Sequence, residues 1–195
     1  MFVKICGITD PAAVDAAVAA GADALGFVFA ASPREVSPER ARELADGVPA
    51  KVLRVAVFRH PDPALVERVL AVLAPDWVQT DAEDFASIRL PAHAVPLPVF
   101  RNGRVPAGAG PPRLLFEGAH SGAGATADWD EARRLAEHSE LVLAGGLTPA
   151  NVATAIDYVR PWGVDVSTGV ECAPGRKDPE KIREFVARVR ALETL

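Results

Sequence analysis

The amino-acid sequence predicts an α/β fold of the (β/α)₈ TIM-barrel type, formed by residues 1–195 as a single domain. Short apolar runs alternate with amphipathic segments along the chain, which is typical of parallel strands joined by helices. Eight such runs occur, and nearly all of them are followed by a helical segment. Closing eight strands into a barrel leaves no exposed edge strand, so closure is the expected arrangement.

Each predicted strand is a short run dominated by Val, Leu, Ile, Phe or Trp. The strands are expected at residues 2–6, 24–29, 52–58, 77–79, 95–100, 113–117, 141–144 and 163–166. The helices are expected at residues 11–20, 38–45, 63–73, 82–88 (a short one), 129–138, 149–158 and 178–192. Several helices carry a Pro in the first turn, where its missing N–H costs nothing.

The region between the fifth and sixth strands departs from the regular alternation. Residues 101–112 contain repeated Gly and Pro, which break helices, so a loop is expected to replace the fifth helix. The chain of 195 residues is also shorter than the ~250 residues of a typical barrel. An open, doubly wound sheet with long turns at a strand-order reversal is the alternative that this pattern leaves open.

Composition excludes several classes of function. The net charge is −5, so no overall positive field attracts nucleic acid or an anionic membrane. No apolar run of membrane-spanning length and no secretory signal occurs, so a cytoplasmic location is expected. Cys6 and Cys172 are too few for a disulfide framework, and the four His residues lack metal-ligand spacing. We therefore expect no metal.

The first predicted strand ends in the most informative local pattern of the chain. Alternation along this strand places Lys4 and Cys6 on one face, with the thiol at the carboxyl end. A nearby cation lowers the pKa of a thiol and favours the reactive thiolate. Cys6 is therefore a candidate reactive group, although a buried structural Cys is the simpler interpretation of such a residue taken alone.

Chemistry in such barrels gathers in the loops after the strands, and three further charged residues lie there. Arg34 follows the second strand, where its planar guanidinium suits a bidentate contact with a carboxylate. Glu117 ends the sixth strand, where partial burial would let its carboxyl act as a general acid. Asp165 faces the barrel interior on the eighth strand and is expected to pair with a cation such as Lys4 or to contact substrate.

The loops after the seventh and eighth strands predict an anion cradle. Glycines let main-chain N–H groups approach a phosphate, and helix N-termini add positive dipole. The candidate phosphate-binding residues are Gly145, Gly146, Ser167, Thr168 and Gly169. Simple tight turns would explain either loop alone, but two such loops on adjacent units favour phosphate binding. The glycine-containing loop at residues 120–126 is a weaker candidate.

Five stretches in this order resemble phosphoribosylanthranilate isomerase, a barrel enzyme of tryptophan biosynthesis, an aromatic amino-acid pathway. They are Val-Lys-Ile-Cys-Gly-Ile-Thr at residues 3–9, Gly-Ala-Asp-Ala-Leu-Gly-Phe-Val-Phe at 21–29, Ser-Pro-Arg at 32–34, Ala-Gly-Gly-Leu-Thr-Pro-Ala-Asn-Val at 144–152, and Asp-Val-Ser-Thr-Gly-Val-Glu with Pro-Gly-Arg-Lys-Asp at 165–178. The first and last stretches are specific to the family, whereas the Gly-Gly-Leu loop also occurs in other phosphate-binding barrels.

The resemblance implies an Amadori rearrangement of N-(5-phosphoribosyl)anthranilate, an aldose–ketose isomerisation that needs no cofactor. It implies that Cys6 acts as the base in its thiolate form and that Arg34 holds the anthranilate carboxylate. The phosphate is expected against Gly145, Gly146, Ser167, Thr168 and Gly169, with Lys4 and Asp165 among the substrate-binding residues. The partner is then a small phosphorylated molecule, and the family contains both monomers and homodimers.

Three residues on the middle strands depart from the family pattern. Glu117 stands where the family usually has an Asp as its general acid. Asp81 stands where the family has a His, and Arg101 follows the fifth strand in place of a Lys-Ala pair. These changes keep two alternatives open: a weakened or non-catalytic phosphate-binding barrel, and a related sugar-phosphate isomerase.

Overall fold

The strands of this protein close into a parallel barrel in the order in which they occur along the chain. The computed structural model describes residues 1–101, 111–118 and 127–194. Within these ranges the barrel strands are β1 Phe2–Cys6, β2 Ala24–Val28, β3 Leu53–Val57, β4 Trp77–Asp81, β5 Val95–Arg101, β6 Arg113–Glu117, β7 Glu140–Leu143 and β8 Gly163–Val166. Because β8 pairs with β1, the closed barrel is confirmed and the open sheet is excluded.

Helices follow most of the strands and pack on the outside of the barrel. In the described ranges they are α1 Pro11–Ala20, α2 Pro38–Ala45, α3 Pro63–Leu73, α4 Trp129–Ala136, α5 Val152–Val159 and α6 Pro179–Ala191. Short 3₁₀ helices lie at Ala82–Ala86, Thr168–Val170 and Leu192–Thr194. A two-stranded hairpin, β9 Glu171–Ala173 with β10 Arg176–Lys177, precedes α6. No helix in these ranges has the length and apolar character that crossing a membrane requires.

The predicted elements differ from the observed ones by a few residues at the ends of some helices and strands. The helix expected at residues 149–158 begins instead at Val152, because Thr148 and Asn151 first close a turn in which Asn151 Oδ1 accepts from the Thr148 N–H at 2.8 Å. The helix expected at 82–88 is the 3₁₀ helix Ala82–Ala86. Residues 102–110 lie outside the described ranges, so the loop in place of the fifth helix stays a prediction.

Strand alternation creates two apolar regions with different roles. Side chains between the barrel and the helices form the main core, which includes Val3, Ile5, Phe27 and Phe116. A smaller cluster fills the barrel interior: Ala24, Val55, Trp77, Leu97, Val99, Leu115, Val142 and Ala144. On several strands the inward positions become polar at the carboxyl end, where they surround a cavity. Because every second residue of a strand faces inward, the polar and charged side chains at the strand ends lie together at one mouth of the barrel.

The opposite, amino-terminal mouth is closed by an aromatic cluster. Phe2 stacks on Trp77 and Trp162, with ring centroids 5.1 and 4.8 Å apart. The Arg113 guanidinium lies over both tryptophan rings, 4.7 and 4.5 Å from their centroids, and forms an ion pair with Glu140. A cation that stacks on two rings contributes more than an exposed ion pair does.

We expect Arg113→Ala to lower the free energy of unfolding by about 1–2 kcal/mol, because it removes the cation–π contacts and the apolar stem that packs on the rings. Urea denaturation followed by tryptophan fluorescence measures the change. Arg188→Ala is a matched control, since Arg188 forms a half-exposed pair with Glu184 on α6. Equal losses in the two variants would contradict the stacking role of Arg113.

Candidate active site

A cavity of about 180 Å³ opens at the carboxyl ends of the strands. Its walls contain Cys6 from β1 and Glu117 from β6, together with Arg34, Asp165 and Ser167. Each of these residues was a site candidate from the sequence alone. The barrel brings them together because the carboxyl ends of parallel strands meet at one mouth, however far apart the residues lie in the chain.

Lys4 and Asp165 form an ion pair inside the barrel. They are register partners on β1 and β8, and Lys4 Nζ donates to Asp165 Oδ1 at 2.8 Å. Lys4 is fully buried, and Asp165 is 7% exposed. Burial alone would lower the pKa of Lys4, but Asp165 and Cys6 raise it above its ordinary value. Lys4 is therefore a fixed ammonium beside Cys6, and of its two predicted roles Asp165 fulfils the pairing role.

The thiol of Cys6 is buried at the base of the cavity, 7% exposed. Burial raises its pKa above the ordinary value, and Asp165 raises it further, while Lys4 and Lys177 only partly oppose them. Lys4 lowers this pKa, as expected, but loss of hydration outweighs its effect, so the expectation of a favoured thiolate was wrong. Gly26 leaves room for the pair: a Cβ there would lie 3.0 Å from Cys6 Sγ and 3.2 Å from Lys4 Cε.

The two cysteines are expected to differ strongly in reactivity towards iodoacetamide at neutral pH. Cys172 is exposed, whereas Cys6 is buried and its pKa is raised, so Cys172 should be alkylated first. Peptide mass spectrometry of time points measures both rates. The Cys6 rate should rise on going to alkaline pH, because only the thiolate reacts. Alkylation of Cys6 as fast as Cys172 at pH 7 would contradict the observed environment.

Arg34 is held by a carboxylate of the protein. Its Nε and Nη2 donate to the two oxygens of Glu171 at 2.7 and 2.9 Å, and Nη2 also donates to Thr168 Oγ1 at 3.1 Å. The side chain lies on Gly7, where a Cβ would be 2.6 Å from Arg34 Cδ. Gly7 also has a φ of +77°, which favours glycine. These contacts fix the guanidinium at the cavity wall. The edge formed by Nε and Nη2 already binds the Glu171 carboxylate.

Lys177 completes this arrangement and was not a site candidate from the sequence. Its Nζ donates to Glu171 Oε1 at 2.9 Å and to the Ser167 carbonyl and hydroxyl oxygens at 3.0 and 3.1 Å. Burial lowers the pKa of Lys177, while its contact with Glu171 opposes that effect. Burial favours a higher pKa for Glu171, but Arg34 and Lys177 outweigh it and hold that pKa below its usual value. Glu171 is therefore a buried carboxylate between two cations.

The predicted anion cradle consists of two loops in close contact. A Cβ on Gly169 would lie 1.9 Å from the Leu147 carbonyl oxygen, so only glycine permits this approach. Gly145 and Gly146 have positive φ values of 86° and 65°. Within the described ranges their N–H groups donate to no protein acceptor. The loop at residues 120–126 lies outside those ranges.

Comparisons with known proteins identify the family of this chain. A family model described as N-(5'phosphoribosyl)anthranilate (PRA) isomerase matches residues 3–188. The chain belongs to this family. An N-(5'-phosphoribosyl)anthranilate isomerase of Roseiflexus sp. is 40% identical over 210 residues, which cover 97% of each chain. The resemblance seen in the sequence is therefore confirmed.

Two solved structures extend the comparison. A phosphoribosylanthranilate isomerase of Thermotoga maritima, described as monomers generated from a dimeric enzyme, is 32% identical with a TM-score of 0.81, and the match covers 98% of this chain and 99% of that one. Another isomerase of the family was solved with reduced 1-(o-carboxyphenylamino)-1-deoxyribulose 5-phosphate. It is 30% identical with a TM-score of 0.76, over 98% of this chain and 99% of that chain.

The three departures from the phosphoribosylanthranilate isomerase pattern lie in one ion-pair network. Arg101 Nη2 lies 2.9 Å from Glu117 Oε1, and Arg101 Nη1 pairs with Asp81 Oδ1. His60 Nε2 lies 3.2 Å from Asp81 Oδ2, and its Nδ1 lies 3.0 Å from Asp84 Oδ1. The network runs from the cavity wall to the protein surface, since Asp81 is 1% and the His60 side chain 58% exposed.

His60, Asp81 and Asp84 are also the described residues whose metal-ligand atoms come close together, within 4.8 Å of one another. Spacing along the chain gave no sign of this group, because its members come from β4, from the loop after β3 and from the 3₁₀ helix after β4. Their carboxylates already bind Arg101, His60 and the Thr80 hydroxyl. We therefore describe the group as an ion-pair network of this family member and not as a metal site.

Sequence reasoning overlooked the loop after β3. Arg59 from this loop lines the cavity together with Gln79 and Arg101, and His60 anchors Asp81. The sequence could have indicated this loop, because Arg59 and His60 follow an apolar strand, as other site residues do. Glu171 and Lys177 belong to the family-specific stretch at residues 165–178, but the sequence did not show that they pair with each other and with Arg34.

Proposed function

We propose that the cavity isomerises N-(5-phosphoribosyl)anthranilate by acid–base catalysis, with Glu117 as the acid and Cys6 as the base. The observation that carries this proposal is that a thiol and a carboxyl from β1 and β6 line one cavity in a chain of the phosphoribosylanthranilate isomerase family. A cavity that contains both a thiol and a carboxyl suits this reaction, because the reaction needs one group to donate a proton and another to remove one.

The proposed reaction proceeds in two proton transfers. Glu117 donates a proton to the furanose ring oxygen, the bond between C1 and that oxygen breaks, and the substrate nitrogen forms a Schiff base with C1. The Cys6 thiolate then removes the proton from C2, and the resulting enolamine tautomerises to the keto product. Because burial raises the pKa of Cys6, its thiolate is scarce but strongly basic, and Lys4 stabilises the negative charge.

Substrate binding is proposed to use the two ends of the cavity. Arg34 would meet the anthranilate carboxylate through Nη1, because Nε and Nη2 are bound to Glu171 and Nη1 makes no hydrogen bond in the described residues. This differs from the bidentate clamp expected from the sequence. The phosphate would lie on the main-chain N–H groups of the cradle formed by Gly145, Gly146, Ser167, Thr168 and Gly169.

The fluorescence of anthranilate-containing substrate provides the direct assay. We expect the purified chain to consume enzymatically generated N-(5-phosphoribosyl)anthranilate in a saturable manner, and the gene to restore growth of a tryptophan auxotroph that lacks this step. Tight binding of the reduced product analogue without any turnover would instead support the non-catalytic phosphate-binding barrel. Turnover of another phosphorylated aldose-amine alone would support the related sugar-phosphate isomerase.

Two further expectations concern the setting of the enzyme. The partner is a small phosphorylated molecule, in keeping with the analogue bound by the related isomerase. Both monomer and homodimer fit the proposal, and the dimeric origin of the Thermotoga relative makes sedimentation of the purified chain worthwhile. The cytoplasmic location stays a prediction.

A further inference from the structure

The β5 strand places a guanidinium between two carboxylates of its neighbouring strands. In the β5–β6 ladder Arg101 is the direct register partner of Glu117, so both side chains project to the same inward face. On the other side, Asp81 ends β4 opposite Val99, two residues before Arg101. Arg101 contacts Glu117 Oε1 through Nη2 and Asp81 Oδ1 through Nη1. The two amino groups of one planar group thus hold carboxylates from two strands.

Burial makes this arrangement more rigid than a surface ion pair. The side chains of Arg101 and Glu117 are each 14% exposed, and that of Asp81 is 1% exposed. A charge as buried as Asp81 requires a partner, and removing that partner is costly. Asp81 therefore fixes Arg101, and Arg101 in turn limits the rotamers of Glu117, which has one more rotatable bond than an Asp.

We propose that Arg101 is a positioning residue that orients the Glu117 carboxyl towards the cavity, and that Asp81 both anchors Arg101 and balances its charge. This inference rests on the proposed role of Glu117 as the acid. It explains why three residues on adjacent strands depart together from the family pattern. Glu117 is longer than the usual Asp and is held by Arg101, and the positive charge of Arg101 is balanced by Asp81. An Arg beside a carboxyl stabilises the ionised form, and a second carboxylate on the same Arg opposes that effect.

Several other charged or titratable groups lie in the ion-pair network or line the same cavity as Glu117 and Arg101, and their charges also influence the titration of Glu117. From the network and the cavity wall these groups are Arg59, His60, Asp81, Asp84, Cys6, Arg34 and Asp165. Arg101 forms ion pairs with both Asp81 and Glu117. Because Asp81 and Arg101 carry opposite charges, their substitutions should change the titration of Glu117 in opposite directions.

The test is a titration of the Glu117 carboxyl by ¹³C NMR in protein labelled at the glutamate side-chain carboxyl carbon. Glu117→Gln assigns the signal. Asp81→Asn leaves the Arg101 charge unbalanced, so the midpoint should move to lower pH by about 1 unit. Arg101→Gln removes the cation while Asp81 stays, so the midpoint should move to higher pH by a similar amount. If Asp81 and Arg101 only stabilised the fold, the two substitutions would not move the Glu117 midpoint in opposite directions.

Asp76→Asn is the matched control for the titration. Asp76 pairs with Arg54 immediately before β4, at the other mouth of the barrel. This variant loses an Arg–Asp pair of the same type, and the Glu117 midpoint should stay where it is in the unmodified protein. A shift equal to that of Asp81→Asn would overturn the local coupling that the inference requires.

Arg101→Lys separates orientation from charge. A lysine keeps the positive charge but cannot hold two carboxylates with one planar group, so kcat should fall about 10-fold or more while KM changes little. The proposal is overturned if Arg101→Lys retains the original kcat or if the Glu117 midpoint is the same in Asp81→Asn and Arg101→Gln. Failure of the proposed function looks different: Glu117→Gln would then turn over substrate normally, whatever the titrations show.

Discussion

Replacement of Cys6 by Ala is expected to lower kcat by about 10³-fold, with a much smaller change in KM. The thiol is the group proposed to remove the C2 proton, and Ala provides no base in its place. The neighbouring Lys4 is an ammonium paired with Asp165 and cannot accept this proton. Anthranilate fluorescence followed under saturating substrate measures kcat directly.

Cys172→Ala is the matched control for this experiment. Cys172 is exposed on β9 and does not line the cavity, so its variant should keep the original kcat. Cys6→Ala also removes little buried volume, and urea denaturation should show that it remains folded. Normal turnover by folded Cys6→Ala would end the assignment of Cys6 as the base.

Glu117→Gln is expected to reduce kcat by about 10²- to 10⁴-fold, because an amide cannot donate the proton that opens the furanose ring. Gln has nearly the same shape and retains one oxygen that can accept from Arg101, so the fold and the contact with Arg101 should survive. The same fluorescence assay measures the effect, and the KM of the variant should stay close to that of the unmodified enzyme.

The chain offers a close control for Glu117. Glu140 also lies on a barrel strand and pairs with an arginine, Arg113, but at the amino-terminal mouth. Glu140→Gln should therefore leave kcat unchanged. Glu117→Asp restores the shorter acid but moves its carboxyl by ~1.5 Å, and a misplacement of that size lowers a rate by up to about 10²-fold. If Glu117→Gln turned over as fast as Glu140→Gln, another group would have to be the acid.

Local sequence patterns predicted the barrel and most of its strand positions. β1, β6 and β8 have the predicted bounds, and the other strands differ by one or two residues at one or both ends. Period-two alternation correctly placed Lys4 and Cys6 on one face of β1 and Asp165 on the inward face of β8. Strand faces are set by neighbouring residues in the chain, so they are readable without knowledge of the fold.

The partners of the charged residues were much less predictable. Arg34 was expected to face a substrate carboxylate alone, yet it binds Glu171, 137 residues further along the chain. The pKa of Cys6 was expected to fall because of Lys4, yet burial raises it. Both outcomes depend on which atoms lie within a few ångströms and on how much water is excluded, and neither quantity is encoded in spacing along one strand.

The order of apolar and polar residues was by itself enough to predict eight parallel strands, with closure into a barrel as the expected arrangement, and to place a thiol, a carboxyl and two glycine-containing loops at the carboxyl ends of those strands. Only the tertiary structure decided how those groups are held: Glu171 between Arg34 and Lys177, and Arg101 between Asp81 and Glu117. The physical reason is that strand direction and facing are local properties of the backbone. Ion pairing and hydration depend on distances between segments that meet only when the barrel closes.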